Sequence, residues 1–429
     1  MRYIPLDNSI YKRNRLNFMD QMKGNCMAIF NSNDIYPVSA DSELPFAQHR
    51  DMFHLAGIDQ EETILILYPS SKDSKTREIL FIRRSDEHTK IWEGEKLSKD
   101  LASKLSGIES IHFVEDFKNI LHLITSKVDT FYINKNEHYR ANSPVETRED
   151  RFISWLLKKY PAHKVAKSNP ILQRLRSIKH IDEIDQIRKA CQITKKGFNR
   201  VLKFIKPGVW EYQIEAEFIH EFINNSSKGF AYSPIIASGQ DNNVLHYVKN
   251  NKQCKDGELI LMDVGAEYGN YSSDMTRTIP VSGHFSKRQK EIYNTVLRVK
   301  NEATKLLTVG NNWKNFHDQV GEIMTKELLD INLLDKADIK NQTKKNPAYK
   351  KYFMHGTSHH LGLDTHDYGL LEDIFQENMV FTVEPGIYIP EEGFGVRLED
   401  DVVIQTKGEP INLMEDIPIE TDHIEELMN

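Results

Sequence analysis

The chain has 429 residues, 39% hydrophobic and 28% charged, a globular composition too long for one ordinary core and therefore expected to fold as two domains. Its formal net charge of -7 argues against a nucleic-acid backbone as principal partner, because phosphate binding needs concentrated Lys and Arg. No run of about eighteen apolar residues is present, and the opening MRYIPLDNSIYKRNRLNFMDQ lacks the apolar centre of a signal peptide, so a soluble cytoplasmic protein without membrane contact is expected.

From about residue 24 to 170, short apolar runs (CMAIF, TILILY, EILFI, TFYIN) alternate with helix-like polar stretches, the order of an α/β domain. The pattern then changes. Ile181, Ile184, Ile187, Cys191 and Phe198 recur at helical spacing until Pro207 and Gly208 stop the helix. The expected boundary is near Pro170, giving domains 1–170 and 171–429. Cys26, Cys191 and Cys254 are far apart and odd in number, which suggests reduced thiols rather than a disulfide framework or a cysteine zinc site.

The second domain echoes itself. Helical segments 181–206 and 211–224 precede ELILMDVGAEYGNYSSDMTRTIPV; two more, beginning after Ser286 and near Trp313, precede NMVFTVEPGIYIPEEGFGVRLEDDVVI. In each half an apolar run ends in a carboxylate and a glycine turn, and a second carboxylate follows on the return strand. Asp263 closes the first run and Glu384 the second; Asp274 and Glu399 follow. A buried carboxylate without a partner costs several kcal/mol or shifts its pKa until neutral, so each needs a cation, a donor network or a metal. One such acid is commonly a turn cap or half of a salt bridge, but four in matching places are not readily coincidental.

Two further stretches bear on the chemistry. In GVRLEDDVVI, strand alternation sends Arg397, Glu399 and Asp401 to one face and Val396, Leu398, Asp400 and Val402 to the other, so Arg397 can sit beside Glu399 either as a plain salt bridge or as the cation steadying a metal ligand. In MHGTSHHLGLDTHD, residues His355, His359, His360 and His366 could bind metal, move protons, or cluster without function. One histidine added to four acids makes an oxygen-rich site that favours Mn, Co or Zn, with charge for two divalent ions. Two ions about 3.5–4 Å apart can share a hydroxide and clamp both ends of a hydrolysed bond, so amide hydrolysis is the economical inference.

HGTSHHLGLDTHD, LHY at 245–247, MDVGAEYGNYSSDMTRTIPV, FTVEPGIYI and VRLEDD resemble, in order and wording, the proline-specific pita-bread metallopeptidases, most closely the Xaa-Pro aminopeptidases (aminopeptidase P). ADSELPFAQHRDMFHLAGIDQEETILIL and IWEGEKL extend the resemblance to their N-terminal domain. It implies an α/β N-terminal domain followed by an α+β pita-bread catalytic domain with pseudo-twofold halves. It further implies hydrolysis of the bond before a proline at the second position, two divalent metal ions with manganese foremost, and a homodimer or homotetramer. Asp263 would chelate one metal, Asp274 and Glu399 bridge both, and His359 with Glu384 complete the second. His246, His355 and His366 would steady substrate and transfer protons with Arg397 in support, while His360 would be wall. Tyr388 with Asp263 would meet the free amine, and Trp92 would either reach a neighbouring subunit's site or serve in the core.

Two positions depart from the family wording: Asn243, where a small residue is usual, and Thr365, where valine is usual. Neither is a ligand, so they bear on substrate detail. The rival readings are prolidase, which takes dipeptides; a metal-free pita-bread protein that only binds partners; and a creatinase-like hydrolase, which would not need these acids. His355-Gly356-Thr357-Ser358-His359 follows the aminopeptidase wording, since prolidases more often carry glycine at the place of Ser358.

Overall fold

The apolar runs of the first half form a six-stranded mixed sheet in the computed structural model, which describes every residue except Met1 and Asn142. Its spatial order is Ser110–Phe113, Glu78–Ile82, Ile64–Leu67, Cys26–Asn31, Thr130–Ile133, Lys164–Lys167. The strand Cys26–Asn31 lies inside the sheet, antiparallel to Ile64–Leu67 and parallel to Thr130–Ile133. Both of its faces are covered: Cys26, Ala28 and Phe30 join one apolar cluster, Met27 and Ile29 the other. That double burial is why the strand reads as a continuous apolar run rather than an alternating one. Each large side chain so buried contributes about 1.5–3 kcal/mol. The edge strand Lys164–Lys167 instead carries exposed lysines, which discourage further strand pairing.

Two compact units divide the chain, Pro5–Arg176 and Ser177–Asn429, the latter joined by the N-terminal residues up to Ile4. Pro170 stands in the first turn of helix Asn169–Ser177, where its missing N–H costs nothing, so the division falls at the end of that helix.

In the C-terminal unit, helix Ile181–Phe204 opens on a reciprocal cap: the His180 side chain accepts from the Asp182 N–H, and Glu183 accepts from the His180 N–H at 2.9 Å. Ile184, Ile187, Cys191 and Phe198 are buried, whereas Ile181 in the first turn is exposed. Helix Glu211–Asn224 follows, then a three-stranded sheet in which Leu259–Val264 pairs antiparallel with both Met275–Pro280 and Ile235–Ser238. The second half repeats the plan with helices Lys287–Leu306 and Trp313–Asp330, then Val380–Val383 antiparallel to Asp400–Val403. Among the described residues no helix is long and apolar enough to cross a membrane. Cys26, Cys191 and Cys254 are buried and unbridged.

The stretch GVRLEDDVVI is not one strand. Phe394–Arg397 pairs with Gly386–Ile389 as an inserted hairpin, and Asp400–Val403 pairs with Val380–Val383, leaving Leu398 and Glu399 between them. Side chains still alternate across the break, because the Glu399 N–H donates to the Thr276 carbonyl at 3.0 Å and Thr278 Oγ1 donates to the Arg397 carbonyl at 3.0 Å. These bonds tie the two halves of the unit back to back, acids inward.

Candidate active site

Asp274 and Glu399 hold equivalent positions just before their return strands, whereas Asp263 sits one residue inside its ladder, opposite Thr276, and Glu384 one residue beyond its own. Val264 faces Met275, with Asp263 beside Val264 and Asp274 beside Met275; Val383 faces Asp400, with Glu384 beside Val383 and Glu399 beside Asp400. The first turn is so tight that a Cβ on Gly265 would lie 1.8 Å from the Ser273 carbonyl oxygen, so glycine is required there. The histidine segment runs along the edge of the second pair: the Thr382 N–H donates to the His359 carbonyl at 3.0 Å, and the Glu384 N–H to the Thr357 carbonyl at 2.8 Å. Backbone pairing thus carries His359 to the acids.

Ligand atoms of Asp274, His359 and Glu399, all buried, lie within 4.8 Å of one another. His359 Nε2 is 3.4 Å from Asp274 Oδ2 and 3.7 Å from Glu384 Oε1. Its Nδ1 is 2.9 Å from the His360 carbonyl, and since a carbonyl only accepts, Nδ1 carries the proton. A neutral His359 ring then presents the Nε2 lone pair to two carboxylates, an arrangement that a cation between them satisfies. Burial and the neighbouring Asp263 push the Asp274 carboxyl well up, and burial with Asp274 and Glu384 does the same to Glu399. Burial also raises Glu384 to about 7, although a fifth of its side chain remains exposed. Hard oxygen donors, one imidazole and too little positive charge from the protein fit a divalent metal centre.

Arg397 is the cation the chain does supply. Its Nη2 donates to Asp263 Oδ2 at 2.6 Å, its Nη1 to the Tyr388 hydroxyl at 2.9 Å and its Nε to Thr276 Oγ1 at 3.2 Å. The expected neighbour Glu399 is reached only through Thr276, whose hydroxyl donates to Glu399 Oε2 at 2.6 Å. Burial opposes the charge on Arg397, but Tyr388, Asp263 and Glu399 hold its guanidinium well above the ordinary range.

The remaining histidines separate. His355 Nδ1 is 2.8 Å from the Gly356 carbonyl and therefore protonated, which leaves Nε2 to accept from the Tyr388 hydroxyl at 2.8 Å. Burial, then Arg397, lowers His355 to about 3, and burial raises Tyr388 to about 12, so the imidazole stays neutral and the phenol protonated. His366 is exposed and packs edge-on against the His359 ring, centroids 4.4 Å apart. His246 lies in an exposed turn, close enough to His355 to disfavour its protonation. His360 is buried with its ring against Trp313 and Phe381, at centroid distances of 5.6 and 4.5 Å.

The core alternative for Trp92 does not hold. It is 75% exposed on helix Glu87–Trp92, with the His88 ring 6.0 Å from its own, because that short helix has a single buried position at Thr89.

Tyr232 is absent from the sequence reading. Its hydroxyl lies 2.6 Å from Asp263 Oδ1 and 2.5 Å from Asp274 Oδ1. A phenol has one proton to give, so the second contact requires either a protonated carboxyl or a cation that draws the acids together. Asp401 is a further addition: Oδ2 accepts from the Asp274 N–H at 3.0 Å and from the Cys191 thiol at 3.4 Å, which pins the backbone at Asp274.

Residues 185–406 match metallopeptidase family M24, and residues 11–132 match the aminopeptidase P N-terminal domain. The Xaa-Pro aminopeptidase of Escherichia coli is 32% identical over 97% of each chain, and human Xaa-Pro aminopeptidase 3 is 32% identical over 92% of this chain and 79% of its own. Zn-substituted E. coli aminopeptidase P in complex with product superposes with a TM-score of 0.89 at 30% identity, covering 99% of both chains. Proline aminopeptidase P II from Yersinia pestis does so at 0.89 and 31%, again over 99% of both. With its family match spanning the acid and histidine cluster, the chain belongs to metallopeptidase family M24, carrying the N-terminal domain of aminopeptidase P.

Proposed function

We propose that this site hydrolyses the N-terminal Xaa-Pro bond of peptides, with the buried Asp274, His359 and Glu399 cluster as the observation that carries the reading. The chain is a metal-dependent exopeptidase. Asp263, Asp274, His359, Glu384 and Glu399 would hold two divalent ions, manganese foremost, with cobalt or zinc as substitutes. When bound, the ions supply Lewis acidity, polarising the scissile carbonyl and making water nucleophilic at neutral pH.

The chain's own groups do the rest. Arg397 fixes Asp263 and Tyr388 together, giving a polar corner for the substrate's free amine. Tyr388 and His355 form a hydrogen-bonded pair through which a proton can move. His246 and His366, both exposed, would contact substrate as it enters. The bond before proline is a tertiary amide with no N–H, so a site that does not depend on gripping that N–H suits it. Because Arg397 is already engaged by Asp263 and Tyr388, it is not free to take the carboxylate of a dipeptide, which favours longer substrates over a prolidase activity.

The N-terminal unit, expected at residues 1–170 and bounded in the structure by Pro5 and Arg176, supplies none of the proposed ligands. Its exposed Trp92 is assigned to the site of a neighbouring copy in a homodimer or homotetramer. A cytoplasmic location completes the reading. The test is a panel of Xaa-Pro, Xaa-Pro-Yaa and Xaa-Ala-Yaa peptides with added Mn, Co or Zn. Tripeptides with proline second should give the highest kcat/KM, and Xaa-Ala-Yaa almost none; a clear preference for dipeptides would move the activity to prolidase.

A further inference from the structure

Beside His355 a groove of about 1080 Å³ opens between helix Trp313–Asp330 and the segment 342–357. On the helix side His317, Gly321, Thr325 and Leu329 recur every four residues and so line one face. Gly356 marks the catalytic end, since a Cβ there would lie 3.7 Å from His317 Cε1. Farther along, Gly321 lies against Tyr349, with only 2.7 Å between a would-be Cβ and the ring. From His317 to Leu329 the helix rises about 18 Å, the length of about five residues of extended chain.

The size of this groove decides what it can hold. An enzyme that removes one residue has a single side chain on the amine side, and no side chain fills such a volume. On the leaving side the peptide continues. The lining is also unbalanced in charge: Lys314 is paired with Asp318 at 2.5 Å, and the other charged lining residues are Glu322 against three lysines, Lys326, Lys344 and Lys350. A locally basic groove stands out in a chain whose formal net charge is -7. Tyr349, Phe353 and Leu329 add apolar surface between the charges.

We infer that this groove binds the leaving-side portion of longer substrates, from the residue after proline onward, and selects peptides with acidic residues there. The inference rests on the Xaa-Pro aminopeptidase reading and adds a specificity to it. Exposed Lys–carboxylate contacts are individually weak and are screened by salt, so the selection is a several-fold bias gathered from several lysines.

The test compares kcat/KM for Ala-Pro-Ala, Ala-Pro-Ala-Glu-Glu-Ala and Ala-Pro-Ala-Lys-Lys-Ala on the metal-loaded full chain. At low salt the acidic hexapeptide should exceed the basic one several-fold, and added salt should shrink that ratio. The double variant Lys326→Glu, Lys344→Glu should bring the ratio to one or below. Thr325→Trp, which narrows the groove midway, should lower both hexapeptides relative to the tripeptide whatever their charge. If the tripeptide is cleaved and neither the charge of the hexapeptides nor these variants alters the ratios, the groove is not a subsite. If no Xaa-Pro peptide of any length is cleaved, the underlying activity fails and the inference falls with it.

Discussion

Glu399 and Asp400 are adjacent in sequence, both buried, and treated in opposite ways. Asp400 faces Arg277 at 2.6 Å and Lys300 at 2.5 Å, and although burial opposes ionisation, these two cations hold its carboxyl well below the usual carboxylate range. Glu399 faces Asp274, Glu384 and Asp263, and burial together with these like charges pushes it well up. On one side of the strand the protein neutralises its own acid. On the other it gathers acids around Arg397, which is itself bonded to Asp263. Burying a charge without compensation is among the costliest things a fold can do, so the uncompensated side reads as a site for an external cation and the compensated side as its foundation.

Breaking the first side should cost function and spare the fold. Asp274→Asn or Glu399→Gln removes a ligand charge, and activity should fall by more than the roughly 10²-fold loss seen when only a ligand's supporting contact is removed. Circular dichroism should change little while metal content drops; two metals retained with full activity would sink the assignment. Next in size is a contrast between two histidines. His359→Ala should lose metal, whereas His355→Ala should keep it and slow by about 10²–10⁴-fold, the usual worth of a positioned proton-transfer group. Identical metal content and rate in the two variants would erase the distinction drawn from their hydrogen bonds.

Breaking the second side should do the reverse. Asp400→Ala leaves Arg277 and Lys300 buried without their partner, a change worth about 3–5 kcal/mol of stability. Arg277 also donates to the Glu399 carbonyl at 2.6 Å and the Thr276 carbonyl at 3.0 Å, so the loss loosens the joint between the two halves. Chemical denaturation should show an earlier transition for the C-terminal unit, with metal per folded molecule less affected than in Glu399→Gln. An unchanged transition would mean that this ion network is not the foundation it resembles.

The difference between the two sides is only partly visible in the sequence. Asp263 and Glu384 are legible because each ends an apolar run, although the structure leaves both half-buried rather than buried, and Asp274 and Glu399 because they recur on the return strands. The helices are legible from their apolar spacing and the Pro207-Gly208 stop: the expected 181–206 and 211–224 are Ile181–Phe204 and Glu211–Asn224 in the structure. The break at Leu398 and Glu399 is not, since period-two alternation continues through it while hydrogen-bond partners change. Tyr232 is hidden for another reason: it reaches Asp263 and Asp274 from a loop with no periodicity, across 31 and 42 residues of sequence. The bond from Arg397 to Asp263 spans 134 residues and depends on how the halves meet. Trp92 shows the limit for a lone aromatic, whose exposure no local pattern announces.

The smallest expected effect lies in the N-terminal unit, where the same contrast recurs without any metal ligand. Asp51 is buried, yet Arg176 at 2.7 Å and Asn134 at 3.0 Å hold its carboxyl below the usual range against the cost of burial. Glu149 is also buried; Asn31 donates to it through its backbone N–H and side-chain amide at 3.1 and 3.0 Å, and burial outweighs these bonds and the charge of Arg148 to raise it to about 8. An acid whose pKa is higher folded than unfolded binds its proton more tightly in the folded state. Its contribution is therefore fully present below the ordinary carboxyl pKa and is lost as pH rises toward about 8. At most one proton is involved, so the slope is no more than about 1.4 kcal/mol per pH unit. Glu149→Gln cannot titrate and should flatten that slope whatever it does to stability at any single pH. Hydrogen exchange of helix Arg148–Lys159, measured from about pH 5 to 8 and corrected for intrinsic exchange, reads the change locally. Parallel protection profiles in parent and variant would show that two amide donors and the charge of Arg148 suffice to keep Glu149 ionised, and that a buried acid in this protein can be stabilised without a directly bonded cation.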